Sequence, residues 1–240
     1  VTDYLFPWEV DSQKSDEARS SLSFVEQKLF ELNYPIYSAK KSLPSSKIMN
    51  GISLILDTFK SQDRKLAKAT EERDADALAK IPPWVVGVTA DHGLLFSLSE
   101  YVPMTYALTY RRSCYPFSML EFVKVYQSGF TDRGSAFSPD MESIPVDDYE
   151  RILRGTSLVV WTNFGAEDAY AKRYAAQLLG LLQYRLGKKR KMFFLCSYDE
   201  KQQKKSDSAA NTFLHGTAET NLNRAVADIV FGNSELLRLE

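Results

Sequence analysis

At 240 residues with a 44% hydrophobic fraction, the chain can bury a sizeable core as one large domain or as one domain with a helical annex. Thirty basic against thirty-one acidic residues leave a net charge of -1, which excludes a global field drawing in nucleic acid and leaves any such contact to a local patch. Two cysteines far apart, Cys114 and Cys196, make no disulfide framework and fit a reducing interior, and no run approaches the roughly 18 apolar residues of a membrane span.

A cytoplasmic protein with no membrane association is therefore expected. The chain begins at Val1 rather than Met, as a trimmed or processed product would, and no basic start followed by an apolar core opens it. Phe6, Pro7 and Trp8 form an aromatic cluster that reads as a packing anchor more readily than as a binding peptide. From Ser15 to Leu32 the apolar positions Leu22, Val25, Leu29 and Leu32 repeat at helical spacing, with Ser15 and Asp16 as caps and Pro35 as a stop. Ile48 to Lys80 reads as one long helix with an apolar face of Ile48, Ile52, Ile55, Leu56 and Phe59. Its second half, from Lys60, is dominated by charges of both signs. Pro82 and Pro83 end it and divide a helical N-terminal region (1-82) from the remainder (83-240).

Beyond the prolines, Trp84 to Thr89, Leu158 to Thr162 and Met192 to Cys196 are continuous apolar runs, the pattern of strands covered on both faces in a parallel sheet. Ala169 to Leu186 is an amphipathic helix between the last two, so strand, helix and strand form a crossover unit. Phe117 to Tyr126 is a further helix, Gly129 to Val146 a long loop, and Asp147 to Leu153 a short helix.

Four pieces carry a family resemblance: LVVWTNFGAED (158-168), a strand running into a Gly-containing turn; LLGLLQYRLGKKRK (178-191), a helix with a basic tail; FFLCSYDE (193-200), a strand ending in small polar residues; and the closing NRAVADIVFGNSELLRLE (223-240). Their order and content resemble the AAA+ module of bacterial helicase loaders of the DnaC and DnaI type and of the related transposition ATPase IstB, over about half the chain, residues 117-240. The resemblance implies an α/β fold with a P-loop NTPase-type parallel sheet and flanking helices, joined to an N-terminal helical region. It places Thr162 and Asn163 where the family has an acidic pair, Gly165 on the glycine that follows, and Ser197 or Tyr198 at the sensor position. Arg224 stands near the terminal arginine that contacts nucleotide in assembled rings. The partner implied is a replicative helicase or an active AAA+ ATPase.

Two departures weigh more than these matches. In that family the first strand runs into Gly-x-x-x-x-Gly-Lys-Ser/Thr, whose N–H groups and lysine cradle phosphate. Here Thr89 is followed by Ala90, Asp91, His92 and Gly93, with one glycine, no lysine, and a carboxylate that repels polyphosphate. Thr162 and Asn163 carry no negative charge, so a bridging Mg²⁺ loses its strongest protein ligands. The expectation is a non-hydrolysing pseudo-ATPase without a cofactor, its degenerate nucleotide site at Asp91, His92, Gly93, Thr162 and Asn163. Its expected role is that of an adaptor or assembly factor in DNA replication, recombination or mobile-element maintenance.

Other chemistries have residues of their own. Asp91 and His92 serve a small hydrolase if Cys114, Cys196 or Ser97 is the nucleophile, against the simpler reading of a polar turn capped by Asp91; no Gly-x-Ser-x-Gly elbow supports the former. His92, His215, Cys114 and Cys196 include no close pair, so no metal is expected. Arg185, Lys188, Lys189, Arg190, Lys191, Lys201, Lys204 and Lys205 set eight positive charges against Asp199 and Glu200. They form either a single-stranded nucleic-acid surface, which needs no ATPase partner, or a helix C-terminus and a solvated loop. Tyr106, Tyr110, Arg111 and Arg112, in a stretch that also holds Tyr101 and Tyr115, are an interface or core packing, with the two arginines suited to clamp a nucleic acid or a partner carboxylate.

Overall fold

The computed structural model describes Tyr4, Phe6 and residues 45–130, 145–167, 171–198 and 207–239. The helix expected over 15–32, Trp8, nearly all of the loop expected over 129–146, and Lys201, Lys204 and Lys205 lie outside the described residues.

Helix α1 (Ser46–Glu71) starts where the Ser45 hydroxyl accepts from Ile48 N–H at 3.4 Å. The single helix expected to Lys80 is instead broken. Arg73 adopts a left-handed φ of 53°, and Asp74 N–H reaches back to Ala69 O at 2.9 Å in a Schellman-type end. Asp74 then caps a separate short helix, α2 (Ala75–Lys80). The break needs a left-handed residue, and the chain supplies arginine rather than glycine, so the sequence pattern does not announce it.

The rest alternates strand and helix: β1 (Trp84–Thr89), α3 (His92–Tyr110), β2 (Cys114–Phe117), α4 (Met119–Phe130), α5 (Val146–Gly155), β3 (Leu158–Thr162), α6 (Ala175–Gly187, after a 3-10 turn at Ala171–Tyr174), β4 (Lys191–Ser197), α7 (Asp207–Asn221), α8 (Arg224–Gly232) and β5 (Ser234–Arg238). All strand pairs are parallel, in the order β2-β3-β4-β1-β5, with Trp84 beside Met192 and Leu158 beside Lys191.

Alternate strand residues feed two cores on opposite faces, as a pleated sheet requires. Val86, Val88, Val159, Trp161, Phe194 and Cys196 pack under α4 to α8. Val85, Val160, Phe193 and Leu195 pack under α3 and α1, where Ile52, Ile55, Leu56 and Phe59 form the face read from the sequence. Each such side chain, fully buried, contributes about 1.5–3 kcal/mol. Phe6 is buried in this second core, as a packing anchor would be. At Gly87 the second core approaches the backbone so closely that a Cβ would stand 2.7 Å from Leu239 Cδ1 and 2.9 Å from the Phe193 ring.

Candidate functional site

In a parallel sheet the C-terminal strand ends face one way, and that edge is where ligands settle in open α/β folds. Here it gathers the turn after β1, the turn after β3, and Ser197 with Tyr198 at the end of β4.

The turn from β1 to α3 is two residues long, Ala90 and Asp91. Thr89 Oγ1 accepts from Asp91 N–H at 3.1 Å, which closes the turn, and Asp91 Oδ1 accepts from Leu94 N–H at 3.0 Å as the cap of α3. Its other oxygen receives Lys47 Nζ, from the first turn of α1, at 2.9 Å. The Leu94 N–H and the Lys47 ammonium together hold the Asp91 carboxyl below its ordinary range. A helix N-terminus binds phosphate through free N–H groups and its partial positive charge. At α3 a carboxylate from the chain itself occupies that position, and the lysine present answers it. His92 and Gly93 follow, both exposed.

At the end of β3, Trp161 points into the first core against Phe117 and Phe164, with ring centroids 4.6 and 4.9 Å away. Thr162 is half-buried. Asn163 is exposed with a left-handed φ of 58°, and Gly165 follows at φ 89°. Asn221 from α7 fastens this turn by donating to Gly165 O at 2.6 Å. No charged oxygen stands at residues 162 and 163, but one that the sequence reading passed over lies close by. Glu167 accepts the Gly165 N–H at 2.7 Å and lines a cleft of about 230 Å³ with Ser118, Met119, Thr162 and Asn163. Burial pushes its carboxyl up to about 7. Its only sequence signal is an acid two residues after a turn glycine. Ser197 pairs with Thr89 in the sheet register, and Tyr198, buried, donates its N–H to Thr89 O at 3.3 Å.

Arg224 opens α8 just after Asn223, whose side chain caps the helix. It lies three residues beyond Asn221, which binds Gly165, and so stands at the same sheet edge as Thr162 and Asn163. It is 77% exposed, open to a neighbouring molecule, and its one ion pair among the described residues is a long 3.7 Å approach to Asp228. Asp228 is also 2.8 Å from His215 Nε2.

The hydrolase constellation is not assembled. Cys196 lies in the first core and Cys114 in the second, both buried, and burial raises the Cys196 thiol far above its ordinary value. Ser97 donates to Gly93 O within its own helix. Among the described residues no cluster could hold a metal ion, and no helix is long and apolar enough to cross a membrane.

The basic segment divides. Arg185 is fully buried and donates to the carbonyls of Leu153, Thr156 and Lys191, so it has no surface to offer a phosphate. Lys191 is mostly covered, over the Phe59 ring at 5.2 Å and bonded to Asp63. Lys188, Lys189 and Arg190 remain exposed. The aromatic segment divides as well. Tyr106 is buried against Tyr110 at 4.9 Å and belongs to the core rather than to an interface; Tyr110 is half-buried, and Arg111 and Arg112 are exposed.

Among solved structures, the crystal structure of the DnaC helicase loader aligns with 89% of this chain and 99% of its own chain, at a TM-score of 0.52 and 12% sequence identity. No protein-family model matches the sequence, and no curated protein does. At that identity the likeness shows the fold: a DnaC-like α/β architecture with a parallel sheet and flanking helices.

Proposed function

We propose that this chain is a non-hydrolysing adaptor or assembly factor that acts with a replicative helicase or an active AAA+ ATPase in DNA replication, recombination or mobile-element maintenance. The observation that carries the reading is the two-residue turn after β1, with the Asp91 carboxylate on the N-terminus of α3 and Lys47 neutralising it. A loop that wraps phosphates needs several free N–H groups and a free cation, and this two-residue turn already engages the Asp91 and Leu94 N–H groups and the Lys47 ammonium. The neutral pair Thr162 and Asn163 adds a second, independent departure, since Mg²⁺ coordination and water orientation both call for carboxylates there.

A helicase loader as structural neighbour favours a protein partner over a free-standing activity. Arg224, exposed at the same edge, acts in this reading as an arginine finger supplied in trans to a neighbour's nucleotide. The test mixes the purified chain with the replicative helicase of its host and follows complex formation by size-exclusion chromatography, and partner ATP turnover by phosphate release. A complex is expected, with stimulation lost in Arg224→Ala while complex formation and the unfolding midpoint are retained. An unchanged rate in that variant would remove the arginine's role, and failure to form any complex would remove the adaptor reading.

A further inference from the structure

The opposite edge of the sheet carries a second surface. The segments entering β2, β3 and β4 all lie at the N-terminal strand ends, and neighbouring strands stand about 4.8 Å apart, so three loops fall within roughly 10 Å. They are cross-linked. Leu158 N–H donates to Ser113 O, and Ser157 N–H to Ser113 Oγ, each at 3.2 Å, which ties the β2 and β3 loops. Arg185 bridges Thr156 O at 2.9 Å and Lys191 O at 2.6 Å, which ties the β3 and β4 loops. The end of α6 is fixed by Arg190 N–H to Arg185 O at 2.8 Å, with Lys189 left-handed at φ 51°.

This fixed backbone presents Arg111 and Arg112 before β2, and Lys188, Lys189 and Arg190 before β4. No carboxylate of the described residues pairs with any of the five, and among the described residues only Lys189 of the five makes a side-chain hydrogen bond, donating from Nζ to Leu78 O at 3.4 Å. Two further cations at this end are already answered, Arg154 by Glu150 at 2.7 Å and Lys191 by Asp63. Helix C-termini attract cations, and three helices, α3, α5 and α6, end here. At about half a negative charge each they account for one or two cations, not five. The crowding is felt inside the fold, where Arg190 is second only to burial in holding the Arg185 guanidinium down to about 9. Beside the cations lies an aromatic ring. Tyr184 is exposed, one helical turn before Lys188, with the Arg154 guanidinium 5.4 Å from its centroid.

We propose that this edge binds the phosphate backbone of single-stranded nucleic acid through Arg111, Arg112, Lys188, Lys189 and Arg190, with a base stacked on Tyr184. The surface differs from the contiguous segment read from the sequence: it omits Arg185 and Lys191, joins the arginines before β2, and is independent of the nucleotide-type edge. Cations alone would also suit an acidic protein segment. The exposed ring flanked by arginine favours a nucleic acid, because bases have faces to stack and carboxylates do not.

The test is fluorescence anisotropy of a labelled oligo-dT with the full chain across a salt series. For single strands the slope of log affinity against log salt is about 0.7 per neutralised phosphate. Arg112→Ala should flatten it by about 0.7 and Lys188→Ala with Arg190→Ala by about 1.4, positions chosen because none of the three substitutions falls on a left-handed residue. Tyr184→Ala should weaken binding roughly 5- to 150-fold, the range for one lost stack. All three variants should keep the wild-type urea midpoint. Absence of binding by the wild type, or unchanged affinity and slope in the charge variants, would overturn the proposal. So would equal competition by polyglutamate with Tyr184→Ala unaffected, the outcome expected of an acidic protein partner.

Discussion

Replacing Arg185 with methionine separates a structural arginine from a ligand-binding one. Methionine fills a similar volume but donates nothing. The guanidinium it replaces bonds the carbonyls of Leu153 and Thr156 in fully buried positions and that of Lys191 in a partly buried one. Two buried acceptors lose their partners at about 1–3 kcal/mol each, while the third finds water. Removing a desolvated charge offsets part of the loss, so the net cost is about 2–5 kcal/mol. Against a total stability of about 5–15 kcal/mol the variant still folds, but its margin narrows sharply. Urea unfolding should show a lower midpoint at an unchanged slope, because the surface exposed on unfolding stays the same. Heating should show a midpoint lower by roughly 2–4 °C for each kcal/mol lost. A change below about 0.5 kcal/mol would refute the reasoning, since it would mean that the carbonyls are satisfied without the arginine.

Glu167→Gln tests the cleft beside Thr162. The buried carboxyl titrates near 7 in the fold against an ordinary 4.5, so between those values the folded chain holds a proton that the unfolded chain has released. Stability should therefore fall as pH rises from about 4.5 to 7, by on the order of 2–3 kcal/mol, and level off above; the glutamine variant, unfolded in urea at pH 5 and pH 8, should lack that fall. A wild-type pH profile in Glu167→Gln would exclude this carboxyl as the cause. Gly87→Ala places a methyl group of the inner strand β1 2.7 Å from Leu239 Cδ1 and should cost about 1–3 kcal/mol by denaturant titration; a neutral result would mean that Leu239 and Phe193 yield freely. Asp91→Ala removes the cap of α3 and the Lys47 partner, so the unfolding midpoint should drop while no Mg·ATP binding appears by calorimetry. Binding gained in that variant would show that the carboxylate alone blocks the site.

Much of the sheet was legible because its inner strands are apolar throughout: β1, β3 and β4 are buried on both faces, and their runs say so. Strand β2 was not, since CYPF has four residues, contains a proline and lies at the sheet edge, where a missing N–H is tolerated. The position of Arg185 was present in the pattern but masked by composition. It continues the face of Leu178, Leu181 and Leu182 at helical spacing, while Lys188 to Arg190 lie past the helix end. Reading the segment as one basic run merged a buried strut with exposed cations. In the same way Tyr106 follows Val102 by one turn of a helix that is apolar on nearly every side. The ion pair of Lys47 with Asp91 joins residues 44 apart, and only the fold brings α1 beside the turn. The neutral residues after β3 needed no structure to be noticed, because charge is a property of the sequence itself.

Phosphate release from Mg·ATP by the isolated chain, followed over hours against a buffer blank, tests the central claim most directly. A rate indistinguishable from the blank is expected, because the phosphate position at α3 holds the chain's own carboxylate and Thr162 and Asn163 at the end of β3 carry no charge for the metal. Magnesium-dependent release that disappears when Thr162 and Asn163 are changed to alanine would contradict it.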